Sequence, residues 1–360
     1  MIELASVLAG PAVGMFFAEL GAEVIKIEPP TGDAMRNMSR PPKIDGPLAS
    51  YDFQFDVDNR GKRSIVANFR EESDLERVKA LAKDADVIIE NFKTGSLDKF
   101  GLDYASLSAG NPRLVYCSIS AFGQSGALAH HPAHDMAVQA LAGFLAVNDG
   151  ADGAPVVPGA ASADLASGLT ALSGVLMALL GRERTGEGAY IDCAMFDSLL
   201  PWCAHTAGSA IAGGESPVSQ SQRSLGGAGF YQIYETSDGK HVALGGREIK
   251  FAQNLLDALG RLALLPIAEA PAGEQGELIA FLKETFAAKS RDEWVQWFAD
   301  KDVAFSPVLN FREAFDEPHI AQRGLLVEAE GGGNHIAPAI RFAGEDWRPA
   351  KVPGKGEHGV

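Results

Sequence analysis

Cysteine is scarce in this 360-residue chain: Cys117, Cys193 and Cys203 are the only three. An odd number without metal-like or redox-pair spacing excludes a disulfide scaffold. Each lies among apolar neighbours and reads as a small buried hydrophobe. Positive charge is also short, with 31 Lys and Arg against 47 Asp and Glu and a formal net charge of -16. Nucleic acid and anionic membranes need a basic surface, so neither is expected as a partner. A local cationic pocket for one phosphorylated small molecule stays open. Gly, Ser and Asp interrupt the longest apolar stretches, and none reads as bilayer-length. The N-terminus shows no charged segment followed by an apolar run and a cleavage site. The expectation is a soluble, cytoplasmic protein.

Several motifs are missing too. There is no HExxH and no GxSxG. Gly226-Gly227-Ala228-Gly229 and Gly10-Pro11-Ala12-Val13-Gly14 do not fit a dinucleotide or P-loop fingerprint. An NAD-dependent reductase or an ATP site is therefore poorly supported. Three histidines cluster in His130-His131-Pro132-Ala133-His134, but Pro132 breaks any helix that could align His130 with His134. No metal site is expected.

What is present is an ordinary globular composition, 46% hydrophobic and 22% charged. At this length two domains are expected. Strand signals at Glu23–Ile27, Ser64–Phe69, Asp86–Glu90 and Arg113–Ile119 alternate with helical stretches. Over 72–84, Leu75, Val78, Leu81 and Ala82 recur at helical spacing. This alternation predicts right-handed βαβ crossovers and a parallel, doubly wound sheet. A second helix is predicted from Asp164 to Leu180, with a stripe of Leu165, Leu169, Leu172, Leu176 and Leu179. Residues 206–229 are rich in Gly, Ser and Ala and read as a linker. A hairpin turning at Ser237-Asp238-Gly239 follows, then helices near 250–259, 276–287 and 291–298. The tail after Gly331 reads as loop. The expected division is a large Rossmann-like domain over 1–205, to which 325–360 returns, and a small α+β domain over 230–324.

Three ionisable residues stand out by their settings: His134 in Ala-His-Asp-Met-Ala-Val, Asp164 in Ala-Ser-Ala-Asp-Leu-Ala-Ser-Gly, and Glu248 in Gly-Gly-Arg-Glu-Ile-Lys-Phe. An imidazole and a carboxylate facing one carbon can remove a proton from one side and return it on the other. A second carboxylate can orient and charge-tune the imidazole. Taken locally, however, Asp164 is better explained as an N-terminal capping residue alongside Ser162. Lys93, Lys99 and Arg70 follow strand ends or early helical turns, where parallel sheets bind ligands. Spacing alone stops at a soluble α/β enzyme.

Resemblance goes further. Glu3–Pro11, Leu20–Pro30, Asn59–Ser64, Glu90–Gly95 and Arg182–Gly188 resemble, in order, segments of the family III CoA-transferase (CaiB/BaiF) superfamily, which includes the α-methylacyl-CoA racemases. The resemblance implies an interlocked homodimer with active sites at the subunit interface and an acyl-CoA thioester as substrate. Neither metal nor cofactor is implied beyond the CoA of the substrate.

Transferases of the superfamily resemble the chain at Asp164, where the carboxylate is the nucleophile that forms an anhydride and then an enzyme–CoA thioester. They usually lack a histidine at the place of His134. Racemases resemble it at Ala133-His134-Asp135, Asp164 and Glu248 together. The trio points to a racemase or epimerase moving the C2 proton of a 2-methylacyl-CoA through an enolate. The transferase is the alternative, and a non-catalytic acyl-CoA-binding homologue a weaker one.

By the same resemblance, His134 and Asp164 would be the two bases, Glu248 would steady His134, and N–H groups around Asp135 would hold the enolate oxygen. CoA would lie along Ala67, Asn68, Phe69 and Arg70, then Asn91, Phe92, Lys93, Thr94 and Gly95, with Lys99 near its phosphates. Ala133, Met136, Ala137 and Val138 would complete its contacts. Lysine stands at 93 and 99, and proline at 29, where racemases tend to carry arginine. Those positions lose the bidentate fork of a guanidinium.

Overall fold

The computed structural model describes all residues except 39–51, 151, 247, 329–333, 345–346 and 360. It divides into two compact units, one of 1–142, 158–202 and 318–360, the other of 143–157 and 203–317.

The first unit is built on six parallel strands: β1 (Ile2–Leu4), β2 (Ile25–Glu28), β3 (Arg63–Val66), β4 (Val87–Glu90), β5 (Val115–Ser120) and β6 (Ala189–Ala194). Their spatial order is β3-β2-β1-β4-β5-β6, so the direction of winding reverses between β1 and β4. Ligands in such sheets bind outside the carboxyl ends of the strands at that reversal. The expected strands are there, with ends shifted by up to three residues. β1 and β6 were not read from the sequence, because a three-residue strand and the alternating Ala-Tyr-Ile-Asp-Cys-Ala carry little periodic signal.

Side chains alternate across the sheet with the period of two that a strand imposes. Ile88 faces a core with Ile2, Leu4, Ile27, Val78 and Ala82. Its neighbours Val87 and Ile89 face the other core, with Val13, Val115, Ala171 and Val175. The helix Glu72–Lys83 covers the first face through Leu75, Val78, Leu81 and Ala82, as its spacing predicted.

The helices Ala9–Glu19 and Ser162–Thr185 cover the second face. They approach so closely that a Cβ on Gly168 would lie 3.3 Å from the carbonyl oxygen of Ala9. The Ser162–Thr185 helix is the one described helix long and apolar enough, by length and composition, to cross a membrane. The sequence had suggested no such stretch, since glycine and serine interrupt it without breaking the helix. The helix packs by its small-residue face, Ala163, Ala166, Ser167, Gly168 and Ala171. Of the leucine stripe, Leu172 is buried but Leu165, Leu169 and Leu176 are exposed.

The C-terminal segment returns to this unit. Gly61 N–H donates to Lys351 O (3.0 Å) and His358 N–H to Ser64 O (3.0 Å), which covers the β3 edge. The expected loop-like tail holds one exception, because Leu326–Glu328 and Asn334–Ile336 pair as antiparallel strands. Gly331, Gly332 and Gly333 lie outside the described residues.

The second unit carries a three-stranded antiparallel sheet of Tyr231–Glu235, His241–Gly245 and Phe305–Pro307. The helices Ile249–Ala258, Gly276–Phe286 and Arg291–Phe298 pack on it around Tyr234, Leu255, Leu282, Phe286 and Trp294. The helix Ala204–Ile211 runs into the stretch read as linker. Segment 143–157 belongs to this unit as well.

Candidate active site

At the reversal point the ends of β1 and β4 are tied side by side. Ser6 N–H donates to Asn91 Oδ1 (3.0 Å), and Asn91 Nδ2 donates to Ser6 O (2.7 Å). The next residue, Val7, has φ +70°. A β-branched side chain is a steric outlier there, and such strain costs on the order of 1–3 kcal/mol.

Two cavities of about 610 Å³ each open at this point. Both are walled by Ser6, Asn91 and Phe92. The first is completed by Ala67, Asn68, Phe69 and Arg70 and by the Pro29–Ala34 loop. The second holds Lys93, Thr94, His131, Ala133, His134, Met136, Ala137 and Asp164. The fold therefore gathers His134 and Asp164, far apart in sequence, into one cavity beside the 91–94 loop.

Other expected residues lie elsewhere. Val138 is fully buried and lines neither cavity. Lys99 lies over the Phe100 ring, 4.9 Å from its centroid, and lines neither cavity. Gly95 borders a smaller polar pocket of about 60 Å³ with Glu90 and Tyr116. Glu248 belongs to the second unit, where it immediately precedes the helix Ile249–Ala258.

Asp164 is the third residue of its helix, and Ala161 takes the capping position. The local reading of Asp164 as a cap is thus corrected: it lines the cavity and is not the capping residue. The cap comes from another segment. Asp135 Oδ1 accepts from Ala163 N–H (2.7 Å) and Asp164 N–H (3.1 Å). His134 directly precedes the short helix Asp135–Leu141 and supplies no side-chain cap to it.

Burial pushes the Asp164 carboxyl up to about 7, reinforced by the charges of Asp135 and Asp58. Such a carboxyl is present in both protonation states at neutral pH, which suits a group that must act as base, acid or nucleophile.

Below this lies a charge cluster that sequence reading missed. Buried Glu3 bridges Lys26 (2.8 Å) and Lys62 (2.7 Å), and Lys26 also meets Asp33 (2.7 Å). Burial opposes ionisation of Glu3, but Lys26 and Lys62 outweigh it and hold its pKa low. Burial also pulls Lys62 down to about 8, with Glu3 opposing. Glu28, buried on β2, takes both Arg36 Nε (2.7 Å) and Arg36 Nη2 (2.8 Å). Gly14 is required here, since a Cβ at that position would lie 1.9 Å from Glu3 Oε2. Glu3 and Lys26 face each other in the register of β1 and β2, and that pairing was the available signal.

Among the described residues no group of three or more His, Cys, Asp or Glu is placed to hold a metal ion. The doubly wound sheet with a raised-pKa carboxylate and an imidazole lining one cavity at its reversal point is the arrangement of an α/β enzyme equipped for acid–base or nucleophilic work. The chain belongs to CoA-transferase family III, whose profile matches residues 1–359.

It is 35% identical over 341 residues to a succinyl-CoA:mesaconate CoA-transferase of Haloarcula marismortui, covering 92% of this chain and 85% of that protein. It is equally 35% identical over 356 residues to a succinate–glutarate CoA-transferase of Agrobacterium fabrum, covering 95% and 86%. Identity to the human α-methylacyl-CoA racemase is 30% over 338 residues, covering 92% and 82%. The crystal structure of a CaiB/BaiF family protein from Brucella suis superposes with a TM-score of 0.86 at 35% identity, covering 99% of this chain and 95% of that one. The relatives favour transfer of CoA over racemisation, which the sequence reading had ranked the other way.

Proposed function

We propose that the protein is a CoA-transferase in which Asp164 carries CoA between two carboxylic acids. The observation that supports this most is the placement of the Asp164 carboxylate in a cavity it shares with the 91–94 loop. In this reading an Asp164 oxygen attacks the thioester carbonyl, the C–S bond breaks, and CoA leaves as thiolate from an acyl–aspartyl anhydride. The thiolate then attacks the Asp164 carbonyl carbon, and the donor departs as a carboxylate. The acceptor carboxylate attacks the resulting aspartyl–CoA thioester and releases thiolate again. Attack of that thiolate on the acceptor's acyl carbon gives the new acyl-CoA and restores Asp164. No proton is consumed, and no metal or cofactor is needed, because the carboxylate itself carries the group.

CoA would run from the 67–70 segment to the 91–94 loop, with Arg70 and Lys93 as the cations within reach of its phosphates. The two transferase relatives named above act on dicarboxylates, and we take a dicarboxylic acid as the acceptor class. We also take the working form to be a cytoplasmic homodimer. Exposed Leu169, Leu176, Met177 and Leu180 on one long helix support a second copy as cover, since patches of this kind mark interaction surfaces.

The second reading is racemisation of a 2-methylacyl-CoA, favoured by His134 lining the same cavity as Asp164. There His134 would take the α-proton from one face and protonated Asp164 would supply one to the other. Glu248, supplied by the second copy, would orient His134. Each such group contributes about 10²–10⁴-fold.

One reaction mixture separates the two. A single enantiomer of 2-methylbutyryl-CoA is held in D₂O with and without succinate. Succinyl-CoA formation without deuterium at C2 is the expected result. Deuterium incorporation with inversion in the absence of any acid would establish the second reading instead.

A further inference from the structure

We propose that Asp135 is the positioning residue of the reacting carboxylate, its side chain fixing the first turn of the Ser162–Thr185 helix and with it the place of Asp164. This rests on Asp164 being the reacting group, in either reaction considered above.

The first N–H groups of a helix have no partner within it. At this helix the capping residue, Ala161, has no side chain able to serve them. Asp135 reaches across from another helix and accepts from two of them, at 2.7 and 3.1 Å. Its second oxygen accepts from Gln139 Nε2, one turn further along its own helix. Gln139 is 1% exposed, so the carboxylate is clamped between a buried amide and the backbone of the catalytic turn. Carboxylate bonds to N–H groups at a helix start are charge-assisted and favoured by the helix dipole. Because Asp135 follows His134 directly, one side chain couples the backbone of the imidazole to that of the carboxylate.

The charge of Asp135 has a second effect, raising the pKa of Asp164 in addition to burial. The charged groups around Asp164 are Asp135 from the 135–141 helix and Asp58 from the 53–59 helix, with Lys93, His131 and His134 in the cavity wall.

Two variants separate position from charge. D135A removes both, whereas D135N keeps an acceptor oxygen and removes only the charge. D135A is expected to lower kcat by about 10²-fold, the loss typical of a slight misplacement, with KM little changed. It should also accelerate amide hydrogen exchange over residues 162–166. D135N should recover most of the rate and move the acid limb of the kcat/KM profile to lower pH, which loss of fold stability alone would not do.

A D135A enzyme with the parental rate and unchanged exchange overturns the proposal. So does a D135N enzyme that loses as much activity as D164N although it keeps the acceptor oxygen, a test that stands even if D135A does not fold. An active D164N enzyme would overturn the reading of Asp164 and the positioning role with it. Unchanged exchange in D135A beside an inactive D164N would overturn the positioning role alone.

Discussion

At the scale of single residues, Asp164 illustrates how burial sets chemistry. Its pKa of about 7 means that between there and the ordinary value of 3.8 the folded protein holds a proton which the unfolded chain has already released. The sign follows directly. Below the unfolded value both states are protonated and nothing is lost. Between there and pH 7 the folded state loses stability as pH rises, and above pH 7 the loss is constant. D164N does not titrate, so its denaturation midpoint should rise relative to the parent from pH 4 to 7 and then keep a fixed lead. That lead should not exceed about 2 kcal/mol, allowing for partial solvent access. Equal midpoints at pH 5 and 8 would contradict the assigned shift.

The residues at this scale were partly legible beforehand. His134 and Asp164 were named from their local settings and a resemblance, and the fold brings both to one cavity. The strain at Val7 and the crosslink between Ser6 and Asn91 were not, because backbone torsion and a side-chain bond across 85 positions leave no local pattern.

At the scale of elements, the leucines of the 164–180 stretch predicted a helix correctly, but Leu165, Leu169 and Leu176 of that stripe stay exposed. The buried side is the small residues, which allow two helices to meet within van der Waals distance of backbone. A helical period shows that a face exists and says nothing about which neighbour takes it. Strand signals were similar: Val- and Ile-rich β2 to β5 were readable, whereas three-residue β1 was not.

The β1–β2 pair also carries the buried Glu3–Lys26–Lys62 cluster. E3Q should leave buried Lys62 without its carboxylate partner and Lys26 with Asp33 alone, and lower unfolding free energy by about 3–5 kcal/mol. Urea denaturation at pH 7 checks this, and a loss below about 1 kcal/mol would mean that water reaches the cluster.

At the scale of the whole molecule, the alternation of strand and helix anticipated a doubly wound parallel sheet, and the observed strand order explains where the cavities lie. The reversal between β1 and β4 puts the 5–9 and 91–94 segments at one edge, and the 162–185 helix starts beside them. The preference between CoA transfer and racemisation was not legible. Both reactions ask for a tunable carboxylate in an acyl-CoA cavity, and local patterns do not record which second substrate enters.

The covalent state of Asp164 decides between them. The enzyme is mixed with succinyl-CoA, treated with borohydride, digested, and the peptide containing Asp164 is weighed. Reduction of the aspartyl–CoA thioester to the alcohol at residue 164, absent in D164N, is the predicted result. An unmodified Asp164 peptide, from enzyme that exchanges the C2 proton of a 2-methylacyl-CoA, would contradict the account.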